Sequence, residues 1–313
     1  METRQVSSTV IEVLHLKNRS NMMQTTQETL TTAQNERLHT LLHSHEAGQH
    51  ILALHIGFQQ DPGIRRKYWP NEDSLFVVQG AMPSTSPSTP PTPFVLLVVA
   101  DGMGGQCHGR IASRLAVQSL VAYMSRSLST QQSAPESLLA LLSAGVQHAN
   151  RVVYERHQQQ QTVMGTTMTA VLLSETTASV AHVGDSRLYL YRAPTGLAQI
   201  TRDHSVVAAL VRAGIIEPDE IYTYPRHNQL YRSLGEKAIV EVETTTLPLA
   251  ADDILLVCSD GLWEMVHDQQ IATILTTPMP TPRDTAHALI QAALAGGGAD
   301  NVSAIVAEVS QVL

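Results

Sequence analysis

Five short acidic stretches hold the residue types in this chain that could do chemistry. They are Asn71-Glu72-Asp73, Asp101-Gly102-Met103-Gly104-Gly105, Gly184-Asp185-Ser186-Arg187, Ser259-Asp260-Gly261 and Gly298-Ala299-Asp300-Asn301. Each sets an acid at the end of an apolar run or in a polar or glycine turn. Glycine beside an acid lets the backbone approach closely, so a peptide carbonyl can join a carboxylate as a ligand. An all-oxygen set suits hard cations such as magnesium, manganese or calcium. Zinc fits less well, because no His or Cys keeps ligand spacing with these acids. Carboxylates brought together raise one another's pKa, and cations relieve that repulsion. A lone Asp-Gly is ordinarily a turn, and a lone Asp-Asn a cap or Asx-turn. Five such stretches in one chain, two of them after apolar runs, point to one shared centre.

Those two runs are the elements that must position the acids. Phe94 to Ala100 is apolar throughout and leads straight into Asp101-Gly102. Ile254 to Cys258 repeats the pattern before Ser259-Asp260-Gly261. Short runs so rich in Val, Leu and Ile read as strands buried on both faces. A carboxylate at such a strand end is held rigidly and partly dried, which is costly unless positive charge meets it.

Further strands are expected at Ile51–Phe58, Ser74–Gly80, Thr166–Leu173, Ala178–Val183, Arg187–Arg192, Ala238–Glu243 and Val302–Val309. One helix is expected to present Ile111, Leu115, Leu120, Val121 and Met124 on one side. A second opens on a capping box at Ser133–Glu136 and buries Leu138, Leu139, Leu142, Val146, Ala149 and Val153. A short helix should follow Asp203 and stop at Gly214, and a last one should begin at Thr281-Pro282. Strands in hairpin-like succession, with helices in separate blocks, indicate an α+β fold of two antiparallel sheets flanked by helices. Residues 1–48 are polar and read as a poorly ordered extension. The Pro/Thr/Ser-rich segment at 83–93 reads as an exposed loop joining two antiparallel strands.

In this order the motifs NEDSLFVV, VVADGMGG, GTTMTAVLL, AHVGDSRLYLYR, ITRDHSVV, LLVCSDGLWEMV and GGADNVSAIV resemble those of the PPM-type, or type 2C, metal-dependent Ser/Thr protein phosphatases. The DGMGG form resembles the bacterial branch, and the likeness covers Ile51 to Val309. It implies a four-layer α/β/β/α sandwich over residues 49–313 with two divalent cations, Mg or Mn, at one edge. Asp101 would bridge the pair. The Gly102 carbonyl and Glu72 or Asp73 would serve one ion, and Asp260 and Asp300 the other. Asp185 would hold a weaker third ion, shared with Asp260. Arg187 and Asn301 would fix the loops behind the acids. Residues 205–237 would form a flap beside the site. Activity would be hydrolysis of phosphoserine and phosphothreonine, with a water or hydroxide shared by the two ions as direct nucleophile.

The family usually places an Arg five residues before the Asp of its first motif, to hold the substrate phosphate. That position is Tyr68 here, with Arg65, Arg66 and Lys67 just upstream, and Arg66 is expected to reach the phosphate. Met103 stands where some members carry a proton-donating His. The cysteine-based route is not signalled, since the position six residues after Cys107 is Ser113 and that after Cys258 is Glu264. Two alternatives stand beside the enzyme reading: a catalytically silent binding module of the same fold, and a hydrolase for a small phosphorylated metabolite. Inactive relatives typically lose metal acids, and the full set here favours catalysis.

Composition fits this picture. The chain has 313 residues, 43% of them hydrophobic, and a formal net charge of -8. That charge argues against nucleic acid as a partner, because phosphate backbones need a basic face. No apolar segment reaches the ~18 residues that a membrane span needs. A cytoplasmic monomer is expected, and the family resemblance implies phosphoprotein substrates and an opposing Ser/Thr kinase.

Overall fold

Alternation of side chains along each strand decides the layering. The computed structural model describes residues 52–311, apart from 85–87, 89, 105–107, 130–136 and 226. The extension expected over residues 1–48, the capping box at Ser133–Glu136, and Cys107 lie outside the described residues. Strands β1 (Leu52–Asp61), β2 (Ser74–Met82), β3 (Thr92–Ala100) and the two-residue β4 (Gly102–Met103) precede two long helices, α1 (His108–Ser129) and α2 (Leu138–Gln160). Then come β5 (Gly165–Thr166), β6 (Met168–Ser174), β7 (Thr177–Val183), β8 (Arg187–Arg192) and β9 (Gly196–Gln199). The short α3 (Val206–Arg212) and a 3-10 turn at Pro218–Tyr222 lead to β10 (Glu243–Pro248) and β11 (Ile254–Cys258). The chain continues through α4 (Asp260–Trp263), α5 (Asp268–Thr276), α6 (Pro282–Ala295) and β12 (Val302–Gln311).

Two five-stranded sheets result, in the orders β1-β12-β11-β8-β9 and β10-β7-β6-β3-β2. Every pairing within them is antiparallel. Three apolar layers hold the stack together. Val95, Leu97 and Val99 of β3 meet Leu188, Leu255, Val257 and Ile305 between the sheets. Leu96 and Val98, one residue out of phase, face Ala112, Ala116, Leu120, Leu142 and Val146 of α1 and α2. On the far side Leu256, Cys258 and Val306 face Leu262, Ile271, Leu289 and Ile290 of the other helices. Both faces of β3 and of β11 are therefore covered, as their unbroken apolar runs require. The four layers are α/β/β/α, as expected. The segment at 83–91 joins the antiparallel hairpin of β2 and β3.

Several elements differ from expectation. In α1 the buried residues are Gly109, Ala112, Ser113, Ala116, Val117, Leu120 and Met124, while Ile111 is exposed. Small residues let α1 lie close on its neighbours, which turns Ile111 outward. The strand expected at Ala238–Glu243 begins only at Glu243, paired with His182. Before it, side chains of α2 serve the backbone in place of a ladder. Asn150 Nδ2 donates to the carbonyls of Lys237 and Ala238 at 3.0 and 3.2 Å, and Gln147 Nε2 donates to that of Val240. The strand expected at Thr166–Leu173 is broken at Thr167, whose backbone turns to Asp101. Helices α4 and α5 were not anticipated. The first begins directly on Asp260, inside what reads as a turn.

Leu97 lies at the middle of the inter-sheet layer with 0% exposure. Leu97→Ala should cost about 2–5 kcal/mol in urea unfolding, and a loss below about 1 kcal/mol would contradict the layering.

Candidate metal centre

The end of β3 carries the first acid to the edge of the sandwich. Its peptide is fully engaged there. Asp101 N donates to Thr167 Oγ1 at 2.8 Å, and Asp101 O accepts from Thr167 N at 2.8 Å and Thr166 Oγ1 at 2.7 Å. That leaves the carboxyl free to face the site. Gly102 follows where β4 touches the start of α1. A Cβ on Gly102 would stand 2.0 Å from the Gly109 carbonyl oxygen and 2.7 Å from that of Glu72. Only glycine brings this peptide so close, which keeps its carbonyl beside the acids.

Glu72 and Asp73 arrive from the turn before β2. Glu72 N donates to Asn301 Oδ1 at 2.8 Å, and Asn301 Nδ2 donates to Pro62 O at 2.9 Å. One asparagine thus ties three loops together. Asp73 is 7% exposed. Its Oδ2 accepts from Ser259 Oγ and Ser303 Oγ, both at 2.7 Å, and its Oδ1 has no partner. Asp260 opens α4, and its Oδ1 is likewise buried without a partner. Asp300 Oδ1 accepts from Asn301 N at 2.6 Å.

Asp185 sits after Gly184, whose φ is +112. Its carbonyl accepts from Trp263 Nε1 at 3.0 Å. Arg187 supports that loop from below. Its guanidinium lies 3.6 Å from the centroid of the Trp263 ring and donates to Asp203 Oδ2 at 2.7 Å and Tyr189 OH at 2.7 Å. Removal from water alone would lower the Arg187 pKa, but Asp203 more than offsets that, so the group stays charged. Asp203 carried no assigned role in the sequence, since its partner lies in another motif.

These residues open into one cavity of about 270 Å³, lined by Arg66, Glu72, Asp101, Gly102, Met103, Gly104, Thr167, Asp185, Asn228, Leu230, Asp260 and Asp300. Asp73 is buried and outside the lining. Arg65 and Lys67 are exposed and outside the lining. Asn228 and Leu230 come from the expected flap segment and had no signal of their own in the sequence. Cys258, the cysteine among the described residues, is buried in β11 away from the cavity lining, with its thiol pKa pushed up by desolvation.

The electrostatics are those of crowded acids. Desolvation first, then Asp260 and Asp73, hold Asp101 well above the usual carboxylate range. Desolvation first, then Asp300, pushes Asp260 up in the same way. Desolvation and Asp260 also push Asp185 up. Burial raises Asp73 to about 7 against the opposing bonds from Ser303 and Ser259. Glu264, just past α4, rises to about 8 through burial and then Asp260 and Asp300. Among the described residues no three His, Cys, Asp or Glu side chains are already closed into a cation shell. Instead the Arg66 guanidinium pairs with both Glu72 and Asp300. The two orphaned carboxylate oxygens, the glycine cradle and the all-oxygen donors fit hard divalent cations.

A family model for protein phosphatase 2C matches residues 88–296. The chain belongs to this family. Among curated relatives, the serine/threonine phosphatase stp of Listeria monocytogenes is 34% identical over 257 residues, covering 82% of this chain and 96% of that protein. The serine/threonine protein phosphatase PstP of Mycobacterium tuberculosis is 36% identical over 260 residues, 82% of this chain and 45% of that protein. A crystal structure of the PstP catalytic domain in complex with two manganese ions superposes with a TM-score of 0.67 at 34% identity. It covers 83% of this chain and 99% of that one. Phosphatase 2C membership thus rests on matches that span both sheets.

Asp73 and Glu264 hold protons more tightly folded than unfolded. Their contribution is present below about pH 4 and is lost as pH climbs through about 7 to 8, so the cation-free protein should lose stability over that window. Divalent cations held at this centre would compete with those protons. Manganese should therefore raise Tm more at about pH 8 than at about pH 6, and an equal or smaller rise at the higher pH would contradict this.

Proposed function

We propose that this phosphatase 2C relative is a protein Ser/Thr phosphatase whose centre is the cavity between Asp101, Asp260, Asp300 and Glu72. The observation that carries the reading is the gathering of five acids around that cavity, Glu72, Asp101, Asp185, Asp260 and Asp300, with Asp260 Oδ1 and the nearby Asp73 Oδ1 buried and unpaired. When bound, two divalent cations would lower the pKa of a shared water and offset charge on the phosphoryl oxygens.

The chain's own residues do the rest. Asp101, at the junction of the set, would touch both ions. The Gly102 carbonyl and Glu72 would hold one, with Asp73 reinforcing that side, and Asp260 and Asp300 the other. Asp185 would hold a third beside Asp260. Arg66 now occupies the place of positive charge between Glu72 and Asp300. Relieved of those acids by the ions, its guanidinium can turn to the substrate phosphate, for which two parallel donors are suited. Arg187 and Asn301 are positioning residues. The first holds the Asp185 loop through Trp263 and Asp203, and the second joins Glu72 to the Asp300 loop. No His lines the cavity among the described residues, so the proton for the leaving alkoxide would come from a water or from another group at the site.

The substrates on this reading are phosphoserine and phosphothreonine proteins, in the cytoplasm, opposing a Ser/Thr kinase. The enzyme works as a monomer. No helix among the described residues is long and apolar enough to cross a membrane.

The test is turnover of p-nitrophenyl phosphate and a phosphothreonine peptide with manganese, abolished by EDTA. Folded protein that hydrolyses neither would sink the reading. Asp101→Asn should lower kcat by more than about a hundredfold and lose cation stoichiometry in calorimetry; retention of both ions would contradict its place between them. Arg66→Ala should raise KM for the peptide about tenfold, and an unchanged KM would remove Arg66 from phosphate binding.

A further inference from the structure

Tyr68 and Trp69 stand beside the cavity almost uncovered, at 92% and 67% exposure. Ile64, in the same loop, is 59% exposed. Isolated apolar residues on a surface need no explanation, but a cluster beside a binding cavity marks an interaction site. Arg65 and Lys67 are exposed within the same stretch, and Lys67 Nζ lies 6.0 Å from the centroid of the Tyr68 ring. Trp, Tyr and Arg together are the side chains that dominate binding energy at interfaces.

The backbone explains why these rings face outward. Trp69 N donates to Arg66 O at 2.8 Å, which closes a turn over residues 66–69. That turn leaves Arg66 in the cavity lining and sets Tyr68 and Trp69 outside it. The loop is anchored at its other end. Gly63 N donates to Asp61 Oδ1 at 2.8 Å, Arg65 N donates to Gly298 O at 3.0 Å, and Asn301 Nδ2 reaches Pro62 O. A platform fixed in this way loses little conformational freedom on binding, which is what a recognition surface requires. A phosphoryl group alone would be met inside the cavity. The rings can only touch what extends beyond it.

We infer that the Ile64–Trp69 loop is a docking platform for the peptide chain flanking the phosphorylated residue. Tyr68 and Trp69 receive an apolar or aromatic side chain of the substrate. Arg65 and Lys67 favour acidic side chains next to it, by charge complementarity. This inference rests on the phosphatase reading.

The experiment compares a small substrate with a long one. Wild type and the Tyr68→Ala/Trp69→Ala double variant are assayed with manganese on p-nitrophenyl phosphate and on an acidic phosphothreonine peptide of about ten residues, a size that spans well past the cavity. The expected result is a fall of about tenfold in kcat/KM for the peptide, carried by KM. Turnover of p-nitrophenyl phosphate should stay within about twofold, and Tyr68→Phe/Trp69→Phe should restore the peptide value. A parallel fall on both substrates would mean that the loop only supports the site and would overturn the platform. So would unchanged peptide kinetics, or a wild type active on the small substrate alone. Inactivity of wild type on both would instead defeat the phosphatase reading itself. A second readout needs no turnover. The chain has two tryptophans, and Trp263 is only 3% exposed. Titration with a phosphonate analogue of the peptide should therefore change Trp69 fluorescence saturably, and a flat titration would also overturn the platform.

Discussion

Mutual repulsion among acids brought to one edge of a sandwich is the constraint on which the rest depends. Asp73, Asp101, Asp185, Asp260 and Glu264 all hold protons above their ordinary range because burial and neighbouring carboxylates disfavour charge. A fold stabilised only for its own sake would not gather them. Three apolar layers and a dense set of backbone bonds hold the acids in place against that repulsion. The cost is relieved when positive charge enters, and the Arg66 guanidinium is the positive charge present between Glu72 and Asp300.

The support behind the acids is built from neutral donors and one buried ion pair. Thr166 and Thr167 fix the Asp101 peptide, Ser259 and Ser303 hold one oxygen of Asp73, and Asn301 joins the loops at Pro62, Glu72 and Asp300. Arg187 and Asp203 form the pair, 4% and 3% exposed, sandwiched against Trp263 under the Asp185 loop. Removing one partner of such a pair typically costs about 3–5 kcal/mol because the other charge is stranded. Rigidity at this level would let an acidic cluster hold cations rather than splay apart.

Much of this was legible in the chain. The unbroken runs before Asp101 and Asp260 announced strands covered on both faces, and the glycine turns marked where carboxylates and a carbonyl could meet. Tertiary partners were not legible. Ser303 and Asp73 are 230 residues apart, and nothing local to either reveals their bond. Asp203 looked like a helix-start acid until Arg187 met it. The segment before β10 has strand composition, yet Asn150 and Gln147 of α2 take up its backbone groups. Ile111 was misplaced because helical periodicity does not say which face is lined by small residues. Arg66 was expected at the site from the basic run beside Tyr68, but the turn that sets it there, closed by Trp69 N on Arg66 O, is backbone geometry that spacing alone does not show.

Anomalous diffraction at the manganese edge, from crystals of the protein grown with that ion, tests the central claim most directly. The account predicts two strong peaks about 3.5–4 Å apart between Asp101, Asp260, Asp300 and Glu72, with Arg66 drawn away from Glu72 and Asp300. Crystals with Arg66 still seated between those acids, and no anomalous density in the cavity, would contradict it.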